Sequence, residues 1–253
     1  MSARFGYLEH SGFLCIAHRG GALEAPENTM AAFENAVRSG CTYLETDAYA
    51  TRDGYLLAFH DDRLDRVTDR KGMIEETDLS TVRQARVDGD HAIPLLEDIL
   101  TAFPKARINI DAKHDGAVEP LIDLIKRLGV EDRVCLGAFS DARVQRMRAA
   151  FEGKICTSLP PGEVTRLFMA KFRLPVRAIG GACAQVPERH GRIRLVDRAF
   201  IRAAHRRNIP VHVWTVNEPA DMERLIDLGV DGLVTDRPRL LREILNKRGI
   251  PAS

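Results

Sequence analysis

The chain has 253 residues, 45 % of them hydrophobic and 29 % charged, and 37 Lys and Arg against 36 Asp and Glu give a formal charge of +1. That length suits one closed β/α barrel, and the apolar share is enough for a full core. A charge this close to balance argues against a nucleic-acid-binding surface or an acidic tail.

Five cysteines (Cys15, Cys41, Cys135, Cys156 and Cys183) are scattered, odd in number and never spaced as Cys-x-x-Cys. Buried free thiols in a reducing compartment are therefore expected, not a disulfide framework or a zinc cluster. The first apolar run, 13–17, is too short for a secretory signal, and no run approaches the length of a bilayer span. These features predict a cytoplasmic protein without a stable membrane anchor.

In chain order, the first predicted strand, 13–17, ends at His18-Arg19. A helix follows over 29–39, with Asn28 as its N-cap and Gly40 just past its last turn. The second strand, 42–48, carries Glu45 and Asp47, two apart and so on one face, about 6–7 Å from each other. Asp53-Gly54 reads as a two-residue hairpin turn pairing Arg52 with Tyr55. Counted outward, that register sets His60 opposite Asp47, with Cβ atoms about 5 Å apart. The other reading of this stretch is a solvated edge hairpin. Residues 62–94 then break the rhythm. They contain no strand, only a turn near Lys71-Gly72 and a short helical stretch over 79–85, and are expected to cover the barrel end that carries Glu45, Asp47 and His60.

Beyond this insertion, strands over 107–112, 133–138, 154–158, 176–179, 211–215 and 232–235 alternate with helices. The helices are predicted over 95–102, 118–128, 142–151, 163–172, 199–208, 220–228 and 238–248, with Asp141 as a further N-cap and Gly129 and Gly229 as stops. Helices that end in Gly and feed an apolar strand mark βα units on a parallel sheet. Eight of them predict a single-domain (β/α)8 barrel over 1–253, with the insertion after its second strand. His18-Arg19-Gly20-Gly21-Ala22 lacks the Gly pattern of a dinucleotide site, which counts against a Rossmann fold.

The polar residues fall at the strand ends that face the βα loops, where such barrels place their chemistry. Glu45, Asp47 and Asp111 on one rim would repel one another unless a cation neutralised them. Oxygen ligands without Cys suit a hard ion, Mg²⁺ or Ca²⁺, better than zinc. His18 and His60 are then free as acid and base, and Arg19 and Lys113 supply fixed positive charge for an anion. Together these groups describe phosphoester chemistry. Against this stand a satisfied rim histidine at position 18 and a plain Asp111–Lys113 pair. His10, His114, His190, His205 and His212 carry no expected role.

The motifs His18-Arg19-Gly20, Ala25-Pro26-Glu27-Asn28-Thr29, Glu45-Thr46-Asp47, Phe59-His60-Asp61 and Asn109-Ile110-Asp111-Ala112-Lys113 occur in order. Asp53-Gly54, Ile93-Pro94-Leu95-Leu96-Glu97, Val213-Trp214-Thr215-Val216-Asn217 and Thr235-Asp236-Arg237-Pro238 complete them. Over about 16–240 the sequence resembles the glycerophosphodiester phosphodiesterase family. The resemblance implies a TIM barrel that hydrolyses small glycerophosphodiesters to an alcohol and glycerol 3-phosphate with one divalent cation. It implies His18 and His60 as the acid/base pair, Glu45, Asp47 and Asp111 on the metal, and Arg19, Lys113 and Trp214 on the substrate. The third ligand in that family is usually Glu, and here it is Asp111. A lysophospholipase D or sphingomyelinase D-like activity is the second reading, and a catalytically silent barrel that binds a phosphorylated ligand is the third.

Overall fold

A computed structural model describes residues 4–253. Its strands are β1 (Leu14–Ala17), β2 (Tyr43–Ala50), β3 (Leu56–Ala58), β4 (Arg107–Ala112), β5 (Val134–Gly137), β6 (Cys156–Thr157), β7 (Ala184–Pro187), β8 (Arg189–His190), β9 (Ile193–Arg194), β10 (Val211–Trp214) and β11 (Gly232–Thr235). The helices are α1 (Met30–Arg38), α2 (Leu79–Val82), α3 (Leu96–Ala102), α4 (Val118–Leu128), α5 (Asp141–Ala150), α6 (Pro161–Ala170), α7 (Arg198–His205), α8 (Pro219–Leu228) and α9 (Pro238–Lys247).

Parallel strands run in the order β6-β5-β4-β2-β1-β11-β10-β7, and β3 pairs antiparallel with β2. The two ends of this order meet. The Leu159 amide donates to the Cys183 carbonyl at 3.0 Å, the Ala182 amide donates to the Thr157 carbonyl at 2.8 Å, and Ser158 bridges Cys183 in parallel. The sheet is thus the closed eight-stranded barrel that the βα rhythm predicts.

Strand alternation divides the core. Leu44, Ile108, Ile110, Val134, Leu136, Val211, Val213 and Leu233 point outward and pack beneath the helices. Leu14, Ile16, Tyr43, Cys135, Cys156, Cys183 and Val234 fill the interior, with Tyr7 buried among them. Helix α4 shows how local sequence feeds this arrangement. Val118, Leu121, Ile122 and Ile125 recur at helical spacing and are buried. Gly129, at φ 63°, then stops the helix by donating its amide to the Ile125 carbonyl.

Three expectations are corrected. The strand expected over 176–179 is irregular and largely exposed, and the strand that fills its place is β7. Two caps shift by one residue, since Thr29 caps α1 and Ser140 caps α5. The hairpin holds a three-residue loop, Arg52-Asp53-Gly54. Thr51 pairs with Tyr55, its hydroxyl donating to Asp53 Oδ1 at 2.6 Å and accepting from the Tyr55 amide at 3.0 Å. Gly54 takes φ 85°, which suits such a loop. The register therefore slips by one, giving Ala48↔Ala58 and the Phe59 amide on the Asp47 carbonyl at 3.1 Å.

Residues 62–94 contain no strand but include α2 and two single 3-10 turns, at Leu64–Arg66 and Ile74–Glu76. Leu64, Ile74, Leu79, Val82, Ala85, Val87 and Ile93 form a separate cluster with Tyr49, Leu57 and Phe59 of the hairpin. The segment sits beside the barrel mouth instead of across it.

Candidate active site

A cavity of about 600 Å³ opens at the C-terminal ends of the strands. All eight residues singled out in the sequence (His18, Arg19, Glu45, Asp47, His60, Asp111, Lys113 and Trp214) line it. None of residues 62–94 does.

β1 delivers His18 and Arg19 on a tight turn in which Arg19 has φ 50° and Gly20 φ 80°. A Cβ on Gly20 would lie 2.8 Å from that of Ala32 on α1, so the turn needs glycine for space as well as backbone. His18 Nδ1 lies 2.6 Å from Asp236 Oδ1, and Asp236 also accepts from Asn217 Nδ2 at 2.7 Å. His60 repeats the arrangement, with Nδ1 2.6 Å from Asp61 Oδ1. A carboxylate on Nδ1 fixes the ring and leaves Nε2 for the cavity. Asp236 and Asp61 were not singled out in the sequence beyond their motifs. The usable signal was an acid at the end of the last strand and another directly after a histidine.

Arg66 of the insertion holds Asp61 at 2.5 Å and Glu27 in a fork at 2.7 and 2.9 Å, and Glu27 accepts from Arg19 Nη1 at 2.9 Å. Asn28, at φ 54°, donates to Asp47 Oδ2 at 3.0 Å and accepts from the Thr46 hydroxyl at 2.9 Å. It positions a carboxylate and caps no helix.

The carboxylates differ sharply in company. β2 and β4 run side by side with Asp47 level with Asp111, and the Lys113 ammonium joins them at 2.8 and 2.7 Å. The Asp111–Lys113 pair weighed in the sequence is therefore present. Arg19 Nε stands 3.5 Å from Asp47. Burial pushes the Asp47 carboxyl up, but Lys113, Arg19 and His60 outweigh it and hold it below its ordinary value. Glu45 accepts from the Arg19 amide at 3.0 Å, and among the described residues the one basic side chain within 4 Å of it is the His18 imidazole at 3.9 Å. Burial, and then Asp47, push its carboxyl up to about 7. For His18 burial acts against the charged form, but Glu45 and the Asp236 hydrogen bond prevail and raise its pKa.

The opposite wall is apolar. Phe139, Leu159, Pro161, Val164, Phe168, Ile193 and Trp214 line it, with Phe139 edge-on to Trp214 at 5.8 Å between centroids. The small β8–β9 hairpin, not foreseen in the sequence, brings His190 and Ile193 to the rim. His114 lies off the cavity, stacked on Tyr49 at 4.1 Å and accepting from the Ala50 amide. Among the described residues no helix is long and apolar enough to cross a membrane.

The glycerophosphoryl diester phosphodiesterase family model matches residues 18–240. A Mycobacterium tuberculosis protein named probable glycerophosphodiester phosphodiesterase 2 is 38 % identical, covering 96 % of this chain and 94 % of its own. A human lysophospholipase D is 30 % identical over 91 % of this chain and 85 % of its own. An Oleispira antarctica phosphodiesterase, solved in complex with its product sn-glycerol-3-phosphate, superposes with a TM-score of 0.78 at 21 % identity over 92 % of this chain and 96 % of that one. The chain belongs to the glycerophosphoryl diester phosphodiesterase family and is accordingly a phosphoric diester hydrolase.

Proposed function

We propose that the chain is a cytoplasmic enzyme of glycerol and lipid metabolism, a single barrel domain that hydrolyses small glycerophosphodiesters to an alcohol and glycerol 3-phosphate with the help of one Mg²⁺ or Ca²⁺. The observation that carries this reading is the pair of imidazoles on one cavity, each anchored through Nδ1 to its own carboxylate at 2.6 Å. One imidazole takes the proton of the attacking hydroxyl at Nε2, and the other delivers a proton to the departing alcohol oxygen. Arg19 and Lys113 hold the phosphate and offset the charge that builds on it, and Trp214 packs against the substrate. Water and the substrate's own adjacent hydroxyl both fit as nucleophile; a transient cyclic phosphate in the phosphorus NMR spectrum distinguishes them.

The donor set fits a hard cation. Glu45 and Asp47, with Asp111 at the rim, offer oxygen alone, and Glu45 is a buried carboxyl with no Lys or Arg side chain paired to it. Lys113 engages one oxygen of Asp111, leaving the other for the ion. When bound, the ion supplies the positive charge that Glu45 lacks and polarises a phosphate oxygen.

A second reading rests on the apolar wall. Residues 62–94 line no part of the cavity. The cavity's apolar residues come instead from β5 to β10 and suit an acyl chain, so a lysophospholipase D activity is the competing assignment. Release of glycerol 3-phosphate from glycerophosphocholine, with Mg²⁺, with Ca²⁺ and with EDTA, beside a lysophospholipid, tests both. Metal-dependent release from glycerophosphocholine is expected. Turnover of the lysophospholipid alone would replace the first reading with the second, and no turnover of either would favour a silent barrel.

A further inference from the structure

Beneath the catalytic cavity lies a second cluster of ligand-type side chains. Gly137, Ser158, Gln185 and Trp214 line the cavity from β5, β6, β7 and β10 or the residues next to them, four neighbouring strands around the barrel. Two residues earlier on each path come Cys135, Cys156, Cys183 and His212. The period-2 alternation of a strand turns all four inward, about 6–7 Å below the cavity lining. None exposes more than 1 % of its surface.

The geometry of the three cysteines is that of a ligand set. The three sulfur atoms lie within 4.8 Å of one another, and Cys135 Sγ is 3.8 Å from Cys183 Sγ. Two thiolates on one tetrahedral zinc, each at about 2.3 Å, stand about 3.8 Å apart. His212 adds an independent observation: it is fully buried and neither ring nitrogen has a hydrogen-bond partner. Buried imidazoles are normally satisfied.

We propose that Cys135, Cys156 and Cys183 form a binding site for one zinc-class cation inside the barrel, directly under the floor of the catalytic cavity, with the His212 ring, which stands outside the group of sulfurs and level with Gln185, turning in as the fourth ligand on binding. Soft sulfur and imidazole ligands select a different ion from the all-oxygen rim above, so one barrel sorts two kinds of metal. With His212 turned in, three protein sulfurs and one nitrogen would complete a tetrahedron with no open position, which would make the lower site structural. Binding releases up to three thiol protons to solvent. Three thiolates, a neutral imidazole and a divalent ion then carry one net negative charge. The ion would strap the seam at which the barrel closes. There β6 contributes only two residues and meets β7 through the Ser158–Cys183 bridge. The sequence hid this site because each ligand comes from a different strand, so no ligand spacing is visible along the chain.

The test is metal analysis of the full chain purified from zinc-supplemented cells and dialysed against EDTA. About one zinc per chain should remain. The metal-free protein, titrated with Co²⁺, should develop the sulfur-to-cobalt charge-transfer band and the strong visible absorption of a tetrahedral thiolate site. Cys183→Ser and His212→Gln should each lose retained zinc, and Cys183→Ser should also weaken the charge-transfer band, with circular dichroism verifying that they fold. Glu45→Gln should leave the band intact. The wild-type cobalt spectrum needs no variant and decides alone if they fail to fold. Absence of the band, a disulfide among the three cysteines, or a band unchanged in both folded variants would overturn the proposal.

Discussion

The two halves of the catalytic cavity are built from different chemistry. β11, β1, β2 and β4 carry nearly all its charge, in Asp236, His18, Arg19, Glu45, Asp47, Asp111 and Lys113. β5 to β10 contribute Phe139, Leu159, Val164, Phe168, Ile193 and Trp214 and little charge. The charged half is cross-braced: most of its groups touch two partners. The apolar half has no such bracing, and Phe139 and Ile193 are 66 % and 55 % exposed. On the function proposed above, one half would take the reacting phosphate and the other whatever hangs from it.

Three experiments break or sharpen this contrast. His60→Ala, in the charged half, should lower kcat by about 10²–10⁴-fold while metal still binds. A nearly normal rate would remove His60 from proton transfer.

The next effect concerns Glu45 in protein stripped of divalent ions. Its folded pKa of about 7 exceeds its ordinary 4.5, so between those values the folded state holds a proton that the unfolded chain has released. Its contribution is therefore complete below pH 4.5 and is lost as pH rises to about 7, a fall of about 3 kcal/mol. Urea unfolding in EDTA at about pH 5 and about pH 8 should show this fall, and Glu45→Gln should flatten it. Equal slopes for the two proteins would mean that Glu45 does not titrate there.

The smallest effect belongs to the apolar half. Phe139→Ala should raise KM for a lysophospholipid by about tenfold and leave glycerophosphocholine nearly unchanged. An equal rise for both would make Phe139 a general part of the mouth and weaken the lipid reading.

The same division governs what the sequence discloses. Charged residues at strand ends are costly unless used, so His18, Glu45, Asp47, His60, Asp111 and Lys113 stand out from an apolar background. All of them reach the cavity. Apolar wall residues look like core, and nothing local marks Phe168 or Ile193 as cavity lining. The misplaced strand has the same origin. Val176 to Ile179 is the more apolar run, but the backbone between β6 and β10 is completed by Ala184-Gln185-Val186-Pro187, whose Gln and Pro argue against a strand. The hairpin slipped because Asp-Gly fits both a two-residue and a three-residue loop, and the Thr51 hydroxyl selects the longer one. His60 reaches the cavity all the same, because the chain leaves the ladder after Phe59. Asp236 is hidden as a partner because its pairing with His18 spans 218 residues, whereas Asp61 directly follows His60 and is legible along the chain.

The ion contacts that converge on Asp47 of β2 join into a single filament. With His60 protonated, it runs from His60 to Asp61 at 2.6 Å, Arg66 at 2.5 Å, Glu27 at 2.7 Å, Arg19 at 2.9 Å, Asp47 at 3.5 Å, Lys113 at 2.8 Å and Asp111 at 2.7 Å. Positive and negative alternate at every step, as along a row of rock salt. Each interior member is neutralised from both sides, so removing one leaves two neighbours of like sign facing a gap. Removing an adjacent pair closes the row again with its alternation intact. Single neutralisations of Arg66 and Glu27 should therefore cost more in sum than the double change, and Arg66, which lies in the insertion and lines no part of the cavity, acts on Asp47 through two intermediaries.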